Sequence, residues 1–203
     1  SYKLVGDLLV AYAGAEGGLQ QNSYADFVDE NPFVSPTLFI EPTDNKFDIY
    51  AGLKGKLANS VAFNVKASFL NQDNKALFLN NKFNVLSTNT EGYAYGNSFG
   101  VVYDNVKTVR FFGELKADIS EAISFGANST LSIYNTANQP EAWNLPALQF
   151  NANLDYSINS KWYAGADVFF VGTRKDMQIN NDIAYIQIYP PVYFTTTTTL
   201  KSY

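Results

Sequence analysis

The chain has 203 residues, a length that suits one domain or one stretch of a larger protein. Of these residues 46% are hydrophobic, 16% aromatic and 16% charged. Its formal net charge is −5 and its Lys and Arg form no basic stripe, which argues against nucleic acid as a partner. The chain has neither Cys nor His, so we expect no enzymatic activity and no cofactor.

No segment reads as a transmembrane helix, since no run of about 18 apolar residues occurs. The N-terminal residues lack the apolar region of a signal peptide, so we expect a mature product or a fragment of a longer protein. The start at Ser1, directly before a predicted strand, also favours a fragment.

The first predicted elements are a strand around residues 3–15 and a loop over residues 19–44. The loop is rich in Phe and Pro, so we expect it to be ordered without forming a pair of strands. Its acidic residues Asp26, Asp29 and Glu30 offer oxygen ligands to Ca²⁺, but they lack the spacing of a recognised calcium loop. The sequence alone leaves calcium binding at these residues open.

The next segment alternates between apolar and polar residues and predicts a long hairpin. In residues 46–57, KFDIYAGLKGKL, the odd positions are apolar or glycine, and the even positions hold the charges. After a turn at 58–60, residues 61–70 continue with apolar side chains at odd positions. Because successive side chains of a strand point to opposite faces, each strand has one apolar and one polar face.

Two further hairpins repeat this unit. One pairs residues 109–119 with 123–133, and the other pairs 148–158 with 162–172. No position on the apolar face of these six strands is charged, and a lipid boundary selects for that, since Arg or Lys at the midplane costs roughly 2–4 kcal/mol. The opposite face carries Lys46, Asp48, Lys54, Lys56, Lys66, Arg110, Glu114, Lys116, Asp118, Asp155 and Asp167.

Strand and loop lengths favour a membrane barrel over a water-soluble β-sandwich, which alternates in the same way. Each predicted strand has about 11 residues, as in membrane barrels, whereas a typical globular strand has about 5–6. The turns are short at one rim, but the opposite connections, residues 70–108 and 133–146, are long, as in outer-membrane barrels. Aromatic residues lie near both ends of the apolar face: Phe63, Phe125, Tyr156 and Trp162 by the turns, and Phe47, Phe69, Phe111 and Phe170 by the far rim.

The long loops hold the candidate ligand-binding residues. Tyr93, Tyr95 and Tyr103 belong to an aromatic run in the first loop, and Trp143 lies in the second. Aromatic faces beside amides and carboxylates suit sugars and other amphipathic ligands. The alternative role for these side chains is packing within the loops or anchoring at the membrane interface. On the polar face we expect a mixed-charge wall whose members pair with one another or contact a plug: Lys54, Lys56, Lys66, Arg110, Glu114 and Lys116.

A last extended segment from residue 183 onward brings the predicted strand count to about eight. Within it, the run 195–199 is compatible with a strand but has no apolar face. We therefore predict an all-β fold, an antiparallel up-and-down transmembrane β-barrel or a segment of one. Residues 1–203 are expected to form a single barrel domain or barrel segment without a plug domain.

The predicted hairpins resemble barrel strands of TonB-dependent outer-membrane receptors. The resemblance lies in residues 46–78, with FDIYAGLKGKLANSVAFNVKASF and NKALF, and in residues 105–176, with DYSINSKWYAGADVFFVGTRKD. The second segment ends in a strand pattern of that family, which is filled here by Trp162, Gly165, Asp167, Phe169, Gly172 and Arg174.

The resemblance implies a bacterial outer-membrane location and active uptake of a scarce ligand: a metal chelate, a cofactor or an oligosaccharide. It implies as partners outer-membrane lipid, the remainder of a receptor with its plug and other strands or an envelope complex, and a small-molecule or glycan ligand. Such receptors have about 22 strands, so the chain is either a segment of a longer receptor or a small barrel with similar strands. The alternative functions are a non-transporting surface barrel for adhesion or envelope assembly, and a soluble glycan-binding β-sandwich.

Overall fold

A computed structural model describes residues 2–5, 8–81, 98–180, 183–196 and 201–202. These residues form one short helix, α1 (Tyr24–Glu30), and twelve strands. The strands are β1 (Tyr2–Val5), β2 (Leu9–Gln20), β3 (Thr43–Ala58), β4 (Val61–Asn80), β5 (Phe99–Ser120), β6 (Ile123–Thr136), β7 (Leu148–Ser157), β8 (Trp162–Val171), β9 (Arg174–Asn180), β10 (Ile183–Tyr189), β11 (Val192–Thr196) and β12 (Lys201–Ser202).

Strands β1 to β8 lie side by side in chain order, and every pair is antiparallel. Beyond β8 the sheet continues with β11, and β12 pairs with the same edge of β8. Within the described residues the sheet is open, since its order runs from β1 to β11 without returning. The all-β, up-and-down prediction is therefore confirmed, in the form of a barrel segment. No helix among the described residues is long and apolar enough to cross a membrane.

The three predicted hairpins are confirmed, and their register keeps the apolar positions on one face. Ile49 pairs with Phe69, Phe69 with Val109, and Val109 with Ile133, so these four side chains form one row across four strands. The three short turns, at 59–60, 121–122 and 158–161, all lie at the same rim because the strands alternate in direction.

The prediction of one strand over residues 3–15 is wrong. The structure has two strands there, β1 and β2, which pair with each other as a hairpin. Residues 6–8 separate the two strands in the sequence, and they include Gly6 and Asp7, which are residue types that favour turns. Strand β2 also continues beyond the prediction to Gln20, where its register against β3 shifts between Glu16 and Gly18.

The prediction that residues 70–108 form a loop is also wrong at both ends. Strand β4 continues to Asn80 and β5 begins at Phe99, so the two strands pair far beyond the expected rim. Two physical features explain why the sequence pattern does not predict this extension of the strands. The ladder shifts between Gln72 and Lys75, where Asn74 has a φ of 60° in the left-handed region, and beyond that bulge the strands are covered on both faces. A strand that is buried on both faces does not alternate, so its sequence lacks the period that identifies strands.

The prediction of an ordered loop without a strand pair over residues 19–44 holds for residues 21–42. Its two ends belong to β2 and β3, where Leu19 pairs with Asp44 and Gln20 with Thr43. Its helix α1 begins with a capping box, in which Ser23 and Asp26 each bond to the other's backbone N–H. The loop is fixed to the sheet through Val34, which forms an isolated bridge with Phe99. Ser35 N–H donates to Phe99 O at 2.7 Å, and Phe99 N–H donates to Phe33 O at 2.8 Å.

The final segment divides between two sheets. Strand β10 pairs with β9 in a separate hairpin, whereas β11 pairs with β8 in the main sheet. Thr195 and Thr196, at the start of the threonine run, lie in β11 opposite Val168 and Asp167. The remaining threonines of the predicted run lie outside the described residues.

Candidate functional site

The bulge at Asn74 divides the sheet into two regions. We call the part between the short turns and Asn74 the wall. The rim layer comprises the ends of β4 and β5 beyond Asn74, residues 21–42, residues 137–147 and β9. The wall has one apolar and one polar face, and the rim layer contains the buried clusters of the described chain.

The apolar face of the wall is uncovered. Large side chains in its middle are open to the surroundings: Ile49 is 53% exposed and Phe111 46%. Among the residues that the structure describes, no buried hydrophobic side chain belongs to this face. The exposed set extends across the sheet: Leu53, Leu57, Val65, Phe69, Val109, Leu115, Ile119, Leu131, Ile133, Leu148, Phe150, Leu154, Tyr156, Trp162 and Val168. A soluble monomer rarely exposes so continuous an apolar surface.

The polar face of the wall holds a recess of about 710 Å³ between β2 and β7. Tyr12 and Tyr50 lie next to each other there, with ring centroids 6.3 Å apart. The Lys54 ammonium lies 5.8 Å from the Tyr12 ring centre, and the Lys66 ammonium lies 5.4 Å from that of Tyr50. Both are cation–π distances, so the rings orient the two lysines. The remaining lining residues are Glu16, Asn64, Arg110, Phe112, Thr130, Ser132, Tyr134 and Gln149.

The predicted mixed-charge wall is therefore partly paired. Lys116 lies 3.0 Å from Glu114, as an ion pair between neighbouring positions of β5. Lys54 and Lys66 contact tyrosine rings instead of carboxylates. The sequence did not identify Tyr12 as part of this group, because its position depends on the register between β2 and β3.

One side of the rim layer is a hydrophobic cluster around Trp143. Leu77, Leu79 and Val106 bury their side chains against the indole, which is 0% exposed. The indole N–H donates to Gln139 Oε1 at 2.9 Å, so its polar atom is satisfied inside the cluster. Asn144 holds the same loop on β4 by donating its amide to Phe78 O at 2.8 Å.

The opposite side of the rim layer packs against α1 and the loop that follows it. Phe78 meets Phe27 edge-on, with ring centroids 5.6 Å apart, and Val34 completes this buried cluster. Tyr103 joins the loop to β5, because its hydroxyl donates to Phe39 O at 3.0 Å and accepts from Glu41 N–H at 2.8 Å. Burial raises the pKa of Tyr103, against the opposing effect of the hydrogen bond from Glu41.

A buried carboxylate organises the loop that carries Trp143. Asp104 is 2% exposed and accepts hydrogen bonds from Gln139 N–H, from both the backbone and side-chain amides of Asn138, and from Asn105 N–H. Burial by itself raises the pKa of a carboxyl group, but these donors outweigh it and the pKa of Asp104 lies below its ordinary value. Asp104 is therefore charged and acts as an anchor for residues 138–139.

A second buried carboxyl group, Asp176, lies where β9 contacts the end of β4. Asn80 N–H donates to it at 3.2 Å and Met177 N–H at 2.9 Å, and the Tyr189 hydroxyl lies 3.3 Å away. Here burial outweighs the hydrogen bonds, and the pKa of Asp176 is raised. The pKa values of the two carboxyl groups of the rim layer are thus shifted in opposite directions. The sequence analysis did not single out Asp176.

The structure locates two of the four predicted ligand-binding residues. Tyr103 and Trp143 lie on opposite sides of the rim layer, and both make the contacts described above. Tyr93 and Tyr95 lie outside the described residues. Ligand contact by these four side chains stays a prediction.

The candidate calcium ligands are not gathered into a site. The Asp26 carboxylate is occupied by the capping box, where Ser23 N–H and Oγ donate to it at 3.0 and 2.7 Å. Across the part of the chain that the structure describes, no group of three or more acidic side chains is placed to hold a metal ion.

No protein-family model and no curated protein matches the chain by sequence. Among solved structures, it is similar to the pyoverdine outer-membrane receptor FpvA of Pseudomonas aeruginosa, with 13% identity and a TM-score of 0.60 over 94% of this chain and 27% of the receptor. It is also similar to the ferripyoverdine receptor of the P. aeruginosa outer membrane, in a structure with bound ferripyoverdine. The identity is 16% and the TM-score 0.60, over 94% of this chain and 25% of the receptor. The fold is that of a segment of an outer-membrane receptor barrel.

The copper transporter OprC gives the same result, with 13% identity and a TM-score of 0.58 over 96% of this chain and 29% of the transporter. The chain thus spans about a quarter of the length of the proteins it matches. At these identities the comparison establishes the fold. The resemblance noted in the strand sequences is confirmed at that level, and the matched proteins are receptors and a transporter.

Proposed function

We propose that this chain forms part of the barrel wall of a bacterial outer-membrane receptor that takes part in TonB-dependent uptake of a scarce ligand. The observation that carries the proposal is the uncovered apolar face of the wall, opposite a polar face with cations and acids. Lipid outside and water inside a barrel is the arrangement that such a two-sided sheet fits. The likeness to receptor barrels supports the same conclusion.

The ligand class that we propose is a metal chelate, a cofactor or an oligosaccharide. Two of the matched proteins are a pyoverdine receptor and a copper transporter, which supports a metal-containing ligand. The rim layer is the proposed ligand-facing end, with Tyr93, Tyr95, Tyr103 and Trp143 as candidate contacts. Its loops are fixed to the sheet by buried clusters, so they offer a shaped surface.

The soluble glycan-binding sandwich is not favoured, because its apolar face would have to be packed against a second sheet. A non-transporting surface barrel shares the lipid-facing wall, and it differs from the receptor in transport alone.

Detergent dependence of folding tests the membrane location. The natural full-length protein is expected to fold into a β-rich species only in detergent or lipid, and to shift its gel mobility on heating. Folding as a single monomeric species in plain buffer would contradict the proposal, since the apolar face would then have to be an internal surface.

Uptake tests the receptor role. Deleting the gene is expected to slow growth when the ligand is scarce, and disabling the inner-membrane energising complex is expected to have the same effect. A growth defect that does not depend on that complex would favour the non-transporting surface barrel.

A further inference from the structure

The recess on the polar face has an excess of positive charge, although the chain as a whole carries −5. Lys54, Lys66 and Arg110 line it together with a single acid, Glu16. Among the residues that the structure describes, the ion pairs are those of Lys46, Lys116 and Lys175, so these three recess cations have no carboxylate partner in that part of the chain. Three neighbouring cations with one acid among them leave the recess with a net positive charge, and an anion placed among them would relieve their mutual repulsion.

The recess is also built to hold its lysines in place. A side chain at Gly52 would collide with the Tyr12 ring, and one at Gly14 would collide with the Tyr50 ring. Each tyrosine therefore lies over a glycine of the neighbouring strand, and the Tyr12 hydroxyl is fixed by donating to Asn64 Oδ1 at 2.6 Å. Since the two lysines lie over these rings, their ammonium groups are positioned before any ligand arrives.

The third cation supplies a different geometry. Arg110 lies between Ser68 and Ser132, which are its cross-strand neighbours on β4 and β6, and both serines are buried. A guanidinium group presents a planar fork of donors that matches the paired oxygens of a carboxylate or phosphate. Two lysine ammonium groups beside one guanidinium group suit a ligand with several anionic oxygens. A neutral sugar has no negative charge for them to bind.

We infer that this recess binds a small molecule with several anionic oxygens, of the polycarboxylate or oligophosphate class. The inference rests on the proposed function, since it requires the polar face of the wall to meet water. A volume of about 710 Å³ falls within the range of small-molecule sites. Lys54, Lys66 and Arg110 supply the charges, and the tyrosines position the lysines.

Calorimetric titration of the natural full-length protein in detergent micelles tests this site, with citrate and tripolyphosphate as the probes. We expect saturable binding that weakens about tenfold or more in Lys66→Gln and in Arg110→Gln, since each variant loses a hydrogen bond from a charged donor. Lys56→Gln is the matched control, because Lys56 points to the same face near the turns but does not line the recess. It is expected to change the affinity by less than about twofold.

A second pair of variants tests the positioning role of the ring. Tyr50→Leu removes the surface under Lys66 and is expected to weaken binding about threefold to fivefold, whereas Tyr50→Phe keeps the ring and is expected to retain the affinity. Equal loss in both variants would show that the ring does not position the lysine.

Three results would overturn the inference. The first is a heat-modifiable barrel that binds neither probe, and this result leaves the proposed function intact. The second is binding that Lys56→Gln weakens as much as Lys66→Gln does, which would reflect net charge only. The third is displacement of both probes by a hexaglutamate peptide at much lower concentration, which would assign the recess to an acidic polypeptide. A protein that needs no detergent to fold would overturn the proposed function itself.

Discussion

Strands β4 and β5 pass through both regions of the molecule, and their apolar side chains are exposed in the wall but buried in the rim layer. In the wall, one face is apolar and nothing in the described chain covers it. In the rim layer, both faces are apolar, and each is covered by a loop that contributes a buried aromatic ring, Trp143 on one side and Phe27 on the other. The change occurs at Asn74, where the ladder shifts.

The proposed membrane location accounts for this difference. Apolar surface in water is unfavourable by about 25 cal/mol per Å², so loops that cover the rim layer are expected where water surrounds the strands. Lipid removes that requirement, because its tails are as apolar as the side chains. The bare wall and the covered rim layer are thus consistent with one membrane boundary close to Asn74.

The two tryptophans of the chain give the largest expected contrast. Trp143→Ala removes a fully buried ring from the rim layer and is expected to destabilise residues 137–147 by about 3–5 kcal/mol. Trp162, 44% exposed on the apolar face of the wall, is the matched control. Hydrogen exchange measured by mass spectrometry in detergent should show faster exchange in the rim loops of Trp143→Ala only. Equal acceleration in Trp162→Ala would mean that the two regions unfold as one unit.

The apolar face of the wall gives the next largest effect. Leu53→Arg places a charge in the middle of β3 on the apolar face, and it is expected to reduce the free energy of unfolding in lipid vesicles by roughly 2–4 kcal/mol. Asn151→Arg is the control, since residue 151 lies at a similar height on the polar face. Denaturant titration from vesicles measures both variants. A Leu53→Arg variant as stable as Asn151→Arg would place the apolar face outside the lipid.

The comparison also explains which parts of the fold the sequence could predict. The wall strands have one apolar and one polar face, so residues such as Phe47, Ile49 and Leu53 alternate with polar ones and identify the hairpins. Beyond Asn74 the run ALFL of β4 has no such period, because Leu77 and Phe78 are buried on opposite faces. The bulge at Asn74 places one extra residue in β4 relative to β5, which reverses the positions that face each side, and no local pattern reveals that.

The sequence predicted which residue types could form the site, but it did not predict where their side chains lie. The aromatic character of Trp143 and Tyr103 was visible in the sequence, and their positions on opposite sides of one hairpin were not. The recess escaped prediction for the same reason, since Tyr12 reaches Lys54 only through the register of β2 against β3. Register across long connections is set by packing, which a single sequence does not display.

A smaller effect is expected from the anchor of the Trp143 loop. Asp104→Asn removes the charge that accepts the amides of residues 138 and 139, and it is expected to destabilise that loop by about 1–3 kcal/mol at neutral pH. Because the pKa of Asp104 is lowered by folding, its contribution is present above the ordinary pKa of aspartate and is lost as the pH falls through the lowered value. Hydrogen exchange of wild type and variant, compared at each pH, should therefore converge in acid. A difference that persists in acid would show that charge is not the cause.

The smallest effect has the opposite sign and comes from Asp176. Burial raises its pKa, so the folded protein takes up a proton there more readily than the unfolded chain, and ionisation destabilises the fold as the pH rises through the raised value. Asp176→Asn keeps an oxygen to accept from Asn80 and Met177, and it is expected to stabilise the β9–β4 contact by under about 1 kcal/mol at neutral pH. The gain should disappear in acid, where the wild-type carboxyl group is also neutral. Exchange of the peptides covering β9 measures it, with Asp155→Asn on the polar face of the wall as the control. Destabilisation by Asp176→Asn at neutral pH would show that the charged form is required, in which case both buried carboxylates of the rim layer would act as anchors.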